Sequence, residues 1–512
     1  MAIDPRWPCL VGVGQQTWHR ADHPGQAGTT APEPLLMWEH VARAAADDSG
    51  AGARVLEELD ALEIVYCQTW QYDDPTTRLA DRLGCTPKRR YYSGIGGTTP
   101  QVLVQDAAER ILAGEVERVC IVGAEALATQ DAVRKQGERY AASFAPSEKR
   151  PFPWEAPFHP VEVAHEVFSA WLTFALFDNA RRAHRGVGLP EYRRALAEMM
   201  APMTDIAAAN PNAWFPIARS VDDILTARPE NRMVGYPYTK YMVAVMDVDM
   251  AAALLLTSHA EADRLGVPPE QRVYVRGWCY ATDPVYVAEH QDLWRSPAMA
   301  AASGEVFRTA GIGIDDVAHF DLYSCFGSSL NFARDALGVT ADDARPLTVT
   351  GGLPYHGGPA SNYMGHAIAT MTQTLRADPG AFGLVSGVGM HMTKHVYGLY
   401  STEPGPVVPP DAAEIQSGLD AHPIPDVLPA HAGDATVAAY CVAHGRDGEP
   451  EQAVLVCDVA AGARTYANIT DADTLVLAEH EELVGRTVRL TPTEVPLAGG
   501  DGTTERNIAH LG

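Results

Sequence analysis

Between Val102 and Ala113 the apolar residues fall at 103, 104, 107, 108, 111 and 112, with Gln105, Asp106, Glu109 and Arg110 on the intervening positions. That helical spacing predicts an amphipathic helix laid over a sheet. The flanking runs differ in kind. Leu10-Val-Gly-Val-Gly, Asp60-Ala-Leu-Glu-Ile-Val-Tyr-Cys67 and Val119-Cys-Ile-Val-Gly123 are short, apolar and rich in β-branched residues, and they predict strands. Strands alternating with such helices imply parallel or mixed sheets coated by helices.

The pattern then repeats. Leu10-Val-Gly-Val-Gly is echoed by Val273-Tyr-Val-Arg-Gly-Trp, and Asp60 to Cys67 by Asp316-Val-Ala-His-Phe-Asp-Leu-Tyr-Ser-Cys325. Helix, turn, strand and glycine recur from His366 through Pro379-Gly to Leu384-Val-Ser-Gly387. A unit duplicated in this way predicts two similar halves with a cleft between them.

Residues 1–262 read as the first half and 263–402 as the second. Between about 128 and 235 the alternation breaks into a long excursion rich in Pro and aromatics (Phe152-Pro-Trp-Glu-Ala-Pro-Phe158), of the kind that builds binding sites. From 403 to 512 a stiff connector, Pro404-Gly-Pro-Val-Val-Pro-Pro410, leads into short β-type runs such as Thr436-Val-Ala-Ala-Tyr-Cys-Val, Gln452-Ala-Val-Leu-Val-Cys and Arg486-Thr-Val-Arg-Leu. These predict a small β-rich domain, barrel or sandwich.

Composition narrows the function classes. With 65 Asp plus Glu against 39 Lys plus Arg, the net charge of -26 argues against a nucleic-acid surface and against anionic membranes. No apolar run approaches the roughly 20 residues of a membrane span, and the N-terminus lacks a signal pattern, so a cytoplasmic protein is expected. The eight cysteines (9, 67, 85, 120, 279, 325, 441 and 457) form no C-x-x-C pair, so they are expected reduced and mostly buried.

Several short motifs stand in a fixed order: Ser93-Gly-Ile-Gly-Gly97, Gly123-Ala-Glu125, Pro237-Tyr-Thr-Lys240, Tyr323-Ser-Cys-Phe326, Gly351-Gly-Leu353, Gly357-Gly-Pro359 and Ser386-Gly-Val-Gly389. Over residues 5 to 400 the chain resembles the thiolase superfamily. The extra β-rich end is similar to thiolase-like protein type 1, chains labelled acetyl-CoA acetyltransferase. The resemblance implies a duplicated thiolase fold, acyltransferase chemistry in lipid metabolism, and CoA or an acyl-CoA thioester as ligand or substrate, with no covalently held cofactor. It implies a homodimer through the first half, or a monomer if the third domain blocks that surface.

It also implies a loss. The family's acylated cysteine falls on Gly97, its Gly-His-Pro histidine on Gly358, and its second cysteine, of the C-x-G motif, on Ser386, so cysteine-dependent thiolysis is not expected. What remains is a glycine-rich turn, Gly94 to Thr98, whose amides either receive a thioester oxygen or enolate or merely permit close packing. Tyr323 is either a cleft phenol able to donate to that oxygen or, with a lowered pKa, to remove a proton, an arrangement similar to that of steroid side-chain aldolases on this fold, or a core tyrosine. Tyr355 and His356 flank the loop that lost its histidine and are candidates for proton transfer. Gly97, Thr98, Gly358, Ser386 and Gly387 are the candidate substrate-binding positions, although a buried, backbone-bonded hydroxyl is the plainer reading of Ser386.

Cys325 reads as an inert buried thiol. His391 and His395 share a helix-compatible spacing, but without a third ligand no metal is expected. Two functions stay open: enolate-stabilising carbon–carbon chemistry, retro-aldol or Claisen-type, and noncatalytic binding of acyl-CoA or a lipid. A third expectation places the β-rich domain at the cleft mouth, in the manner of the aldolases' separate oligonucleotide-fold partners.

Overall fold

The computed structural model describes residues 3–19, 30–147, 158–496 and 502–511; the aromatic-rich run 152–157 lies outside them. Its strands are β1 (Pro8–Thr17), β2 (Ala61–Ile64), β3 (Arg89–Tyr92), β4 (Arg118–Ala126), β5 (Met233–Gly235), β6 (Tyr238–Thr239), β7 (Asp249–Ser258) and β8 (Val273–Thr282). There follow β9 (Val317–Asp321), β10 (Phe382–Gly389), β11 (Lys394–Ser401), β12 (Gly433–His444), β13 (Pro450–Asp458), β14 (Arg464–Ile469), β15 (Thr487–Pro496) and β16 (Thr503–Leu511).

Nine of these make one sheet in the order β3-β2-β4-β7-β1-β8-β11-β10-β9. The duplication is visible in that order. Outward from the central β1–β8 pair, β7-β4-β2 on one side corresponds to β11-β10-β9 on the other. Within each half the outer pair is parallel (β2 with β4, β9 with β10) and the next strand antiparallel. β3 has no counterpart. Beyond β9 the chain near 345–350 covers the edge instead: Leu322 N–H donates to Leu347 O at 2.9 Å, and Arg345 donates to the carbonyls of Ile314 and Val317. Covering the edge in this way denies it to other strands.

The predicted helix spans Thr99–Ala113 and closes on Gly114 in the left-handed conformation, φ 74°. Leu103, Val104, Ala107, Ala108 and Ile111 are buried as the spacing requires, and Leu112 is half-buried. Each large side chain buried there contributes about 1.5–3 kcal/mol. Its counterpart in the second half, Tyr363–Ala377, packs beside it, and both lie against β7.

The second sheet, β13-β14-β16-β15-β12-β5-β6, closes where β12 also pairs with β13. Five strands therefore form a barrel, with β14 and β16 parallel and helix Ala472–Ala478 between β14 and β15. The β-rich end is thus a five-stranded Greek-key barrel of the oligonucleotide-fold type. The β5–β6 hairpin of the excursion extends it at β12. The barrel docks on the excursion's helices Pro160–Ala164 and Ala170–His184, and on the turn Val287–Glu289 of the second half.

Among the described residues no helix is long and apolar enough to cross a membrane. All eight cysteines are free and buried.

Candidate functional site

The strand ends of both halves bring the Ser93–Gly97, Tyr323–Phe326 and Ser386–Gly389 motifs together at the N-terminus of the Thr99–Ala113 helix. The closest approach is at Gly97. A β-carbon placed there would lie 2.2 Å from the carbonyl oxygen of Val388 and 2.3 Å from the phenol oxygen of Tyr323. Any side chain at position 97 is therefore excluded by the β10–β11 hairpin on one side and a tyrosine on the other. The phenol oxygen stands where that side chain would begin.

Tyr323 leaves the end of β9, with its ring only 6% exposed and edge-on to Tyr363, centroids 5.5 Å apart. Its amide donates to Ser386 Oγ at 3.0 Å and its carbonyl accepts from Ser329 Oγ at 2.8 Å. Burial pushes its phenol well above the ordinary tyrosine range, so it keeps its proton at neutral pH. Ser386, buried in β10, braces the loop that carries Tyr323. Gly387 is required for packing: a β-carbon there would meet Met364 Sδ at 2.3 Å. Thr98 is buried beside it, and Gly96 N–H donates to Ser361 Oγ at 3.1 Å.

The Gly357–Gly358 loop is filled from within. A β-carbon at Gly358 would meet Leu353 Cδ2 at 3.0 Å, and its amide donates to Val245 O at 2.8 Å. Tyr355 and His356 are fully buried, and their carbonyls accept from the amides of Phe215 and Trp214 in the excursion. His356 Nδ1 donates to Gly357 O at 3.1 Å, which leaves Nε2 bare, and burial lowers the ring to about 4. His356 meets the same Tyr363 ring as Tyr323, at 5.9 Å, and lies 5.3 Å from His366. Tyr355 sits further toward the excursion, its ring 5.9 Å from the Arg219 guanidinium. The structure thus gathers Gly97, Thr98, Tyr323, Ser386 and Gly387. His356 packs on Tyr363, and Tyr355 stands apart.

Cys325 is buried, its thiol donates to Ser329 Oγ at 3.5 Å, and burial pushes it up to about 12. No thiolate is available from it at neutral pH. His391 bonds Thr173 Oγ1 at 2.8 Å while His395 pairs with Asp283 at 3.0 Å, so the two have separate partners. Among the described residues no group of three His, Cys, Asp or Glu suits a metal ion.

Two contributors escaped sequence reading. Asp321, fully buried, accepts from the hydroxyls of Thr348, Thr350 and Tyr363 and from two amides, which fixes Tyr363 as the wall that both Tyr323 and His356 meet. The signal available was an acidic residue inside the apolar run Phe320-Asp-Leu. Strain is the other. Ala360 (φ 44°), Met390 (φ 57°) and Met392 (φ 61°) adopt left-handed backbone on the two loops that flank the site. Such conformations persist where surrounding structure imposes them, commonly at functional sites. Cavities of about 730 Å³ beside Trp294 and Arg464, and of about 510 Å³ beside Pro202 and Arg219, are not lined by Tyr323 or His356.

Fold and site together define a protein of the thiolase superfamily. The chain belongs to the SCP2-thiolase-like protein type 1 family: it is 33% identical, over 100% of both chains and with a TM-score of 0.83, to a monomeric SCP2-thiolase like protein type 1 from Mycobacterium smegmatis. Residues 414–495 match the thiolase-like protein type 1 additional C-terminal domain. The fold is shared with an acetyl-CoA acetyltransferase from Syntrophomonas wolfei (14% identity, 78% of this chain and 100% of that one, TM-score 0.56). It is shared also with the Ltp2–ChsH2(DUF35) aldolase (16% identity, 78% of this chain and 99% of that one, TM-score 0.58). No curated protein matches the sequence.

Proposed function

We propose that this chain binds an acyl-CoA-type thioester at the N-terminus of the Thr99–Ala113 helix, with the Tyr323 phenol donating to the thioester oxygen, and that it performs no cysteine-dependent thiolysis. The observation that supports the reading is a proton-bearing phenol beside a helix N-terminus, the Tyr323 oxygen lying 2.3 Å from where a side chain on residue 97 would start; an acyl group reaches it only where Tyr323 or the β10–β11 hairpin gives way. A proton-bearing phenol and a helix N-terminus favour negative charge on the same oxygen, the requirement for holding a polarised thioester or an enolate. Like its M. smegmatis relative the protein acts as a monomer in this reading, and it is cytoplasmic.

A second reading, carbon–carbon cleavage of the retro-aldol kind, is favoured by that neutral phenol at the enolate position and draws on the likeness to an aldolase. The burial of Tyr355 and His356 favours binding without turnover. Calorimetric titration of CoA and acetyl-CoA, with thiol release followed by a chromogenic reagent on the same samples, tests the proposal. Binding without thiol release is expected. Steady thiol release would show that a nucleophile acts elsewhere in the chain, and absence of binding would remove the CoA assignment.

A further inference from the structure

Between the barrel and the candidate site lie intermediaries joined by hydrogen bonds and by the chain itself. Tyr466 on β14 donates its hydroxyl to Glu162 of the excursion at 2.7 Å and accepts the Ala288 amide at 2.9 Å. The same Glu162 oxygen accepts the Val287 amide at 3.0 Å. Arg464, also on β14, donates to the carbonyls of Ala288 (3.3 Å), His290 and Gln291 (3.1 Å). One barrel strand therefore holds the backbone of Ala288, His290 and Gln291, and Val287 is held through Glu162.

That segment continues directly from the residues that hold the β10–β11 hairpin. Asp283 N–H donates to Thr393 O at 2.8 Å, Thr393 Oγ1 donates to Val285 O at 3.3 Å, and the Asp283 carboxylate pairs with His395 at 3.0 Å. Asp283 also accepts from Ser296 Oγ and the Ala298 amide, which ties it to the start of helix Pro297–Ala310. Between its strands the hairpin carries Met390 and Met392 in left-handed backbone, and just before its turn it presents the Val388 carbonyl that abuts Gly97 beside Tyr323. A strained hairpin holds its shape only while its neighbours impose it.

We infer that the barrel is a positioning element for the site: Tyr466 and Arg464 hold segment 283–291, that segment holds the hairpin, and the hairpin holds the Val388 carbonyl against Gly97 and Tyr323. The inference rests on the proposed function only for its consequence on ligand binding. Its structural content stands without it.

Hydrogen exchange by mass spectrometry on the full chain decides it, with Tyr466→Phe and Arg464→Met as barrel variants and Asp283→Asn as the intermediate one. In both barrel variants exchange is expected to rise several-fold in peptides covering 285–291 and 389–395, while β12 and β13 keep wild-type protection. Acetyl-CoA affinity should fall by roughly 3- to 30-fold in parallel. A merely structural role would loosen the barrel strands and leave the hairpin as it was. Unchanged exchange at 389–395 in the barrel variants, with Asp283→Asn loosening it, would overturn the inference. If the wild-type chain binds no acetyl-CoA, the ligand reading fails, yet the exchange data still decide the coupling.

Discussion

At the residue scale, the pair Gly97 and Tyr323 governs what the site can do. Each position stands out in the sequence as part of a motif. Their contact does not, because it depends on the hairpin and the β9 loop arriving at one helix terminus. Two outcomes follow from it. Gly97→Ala overpacks against a backbone carbonyl and should destabilise the fold by about 1–3 kcal/mol in urea denaturation. Gly97→Cys should suffer likewise and gain no thiol release with acetyl-CoA, since Tyr323 and Val388 occupy the space a thiolate needs; a burst of free thiol from that variant would contradict the assignment. Tyr323→Phe tests the phenol itself. Loss of one hydrogen bond to a thioester oxygen should weaken acetyl-CoA binding by about tenfold with little change in melting temperature.

The elements were legible to the extent that their residues repeat. Three of the four strand correspondences between the halves (β1 with β8, β2 with β9, β4 with β10) stand out from shared glycines, aspartates and apolar runs. The fourth, β7 with β11, does not, because Asp249-Met-Ala-Ala-Ala-Leu and Lys394-His-Val-Tyr-Gly-Leu share position in the sheet and little chemistry. The β-rich end announced strands and left barrel or sandwich open, since pairing of β12 with both β13 and β15 is a non-local property. Its seam with the excursion was also hidden. There Arg182, buried to 1%, forms a two-armed pair with Glu482 and also donates to Val187 O. Glu482, 41% exposed, shares its charge with solvent, so Glu482→Gln should lower stability by about 1–2 kcal/mol. Arg182→Met, which removes the charge together with its need for a partner, should cost less, and the ranking of the two by chemical denaturation checks the claim.

For the whole molecule, burial sets two opposing families of titrating groups against each other. His165, His290, His356 and His391 are each lowered to about 4, and His366 further, by burial. Such rings stay neutral when folded and take up protons when unfolded, so the stability they contribute is complete above about pH 6.5 and is lost as pH falls toward 4. Glu63 and Asp178 are raised to about 6 and Glu125 to about 7, again by burial. These carboxyls bind protons more tightly when folded, so their contribution is complete below about pH 4 and is lost as pH rises through 6 to 7. Between pH 5 and 6.5 the two slopes oppose, and single variants separate them. Glu125→Gln cannot titrate, so its stability should fall more steeply than wild type on acidification, by up to about 1.4 kcal/mol per pH unit. His356→Asn removes a ring of the other family and should fall less steeply by a similar amount. Urea midpoints at pH 7, 6 and 5 measure both, and parallel curves for wild type and the two variants would show that neither group changes its proton affinity on folding.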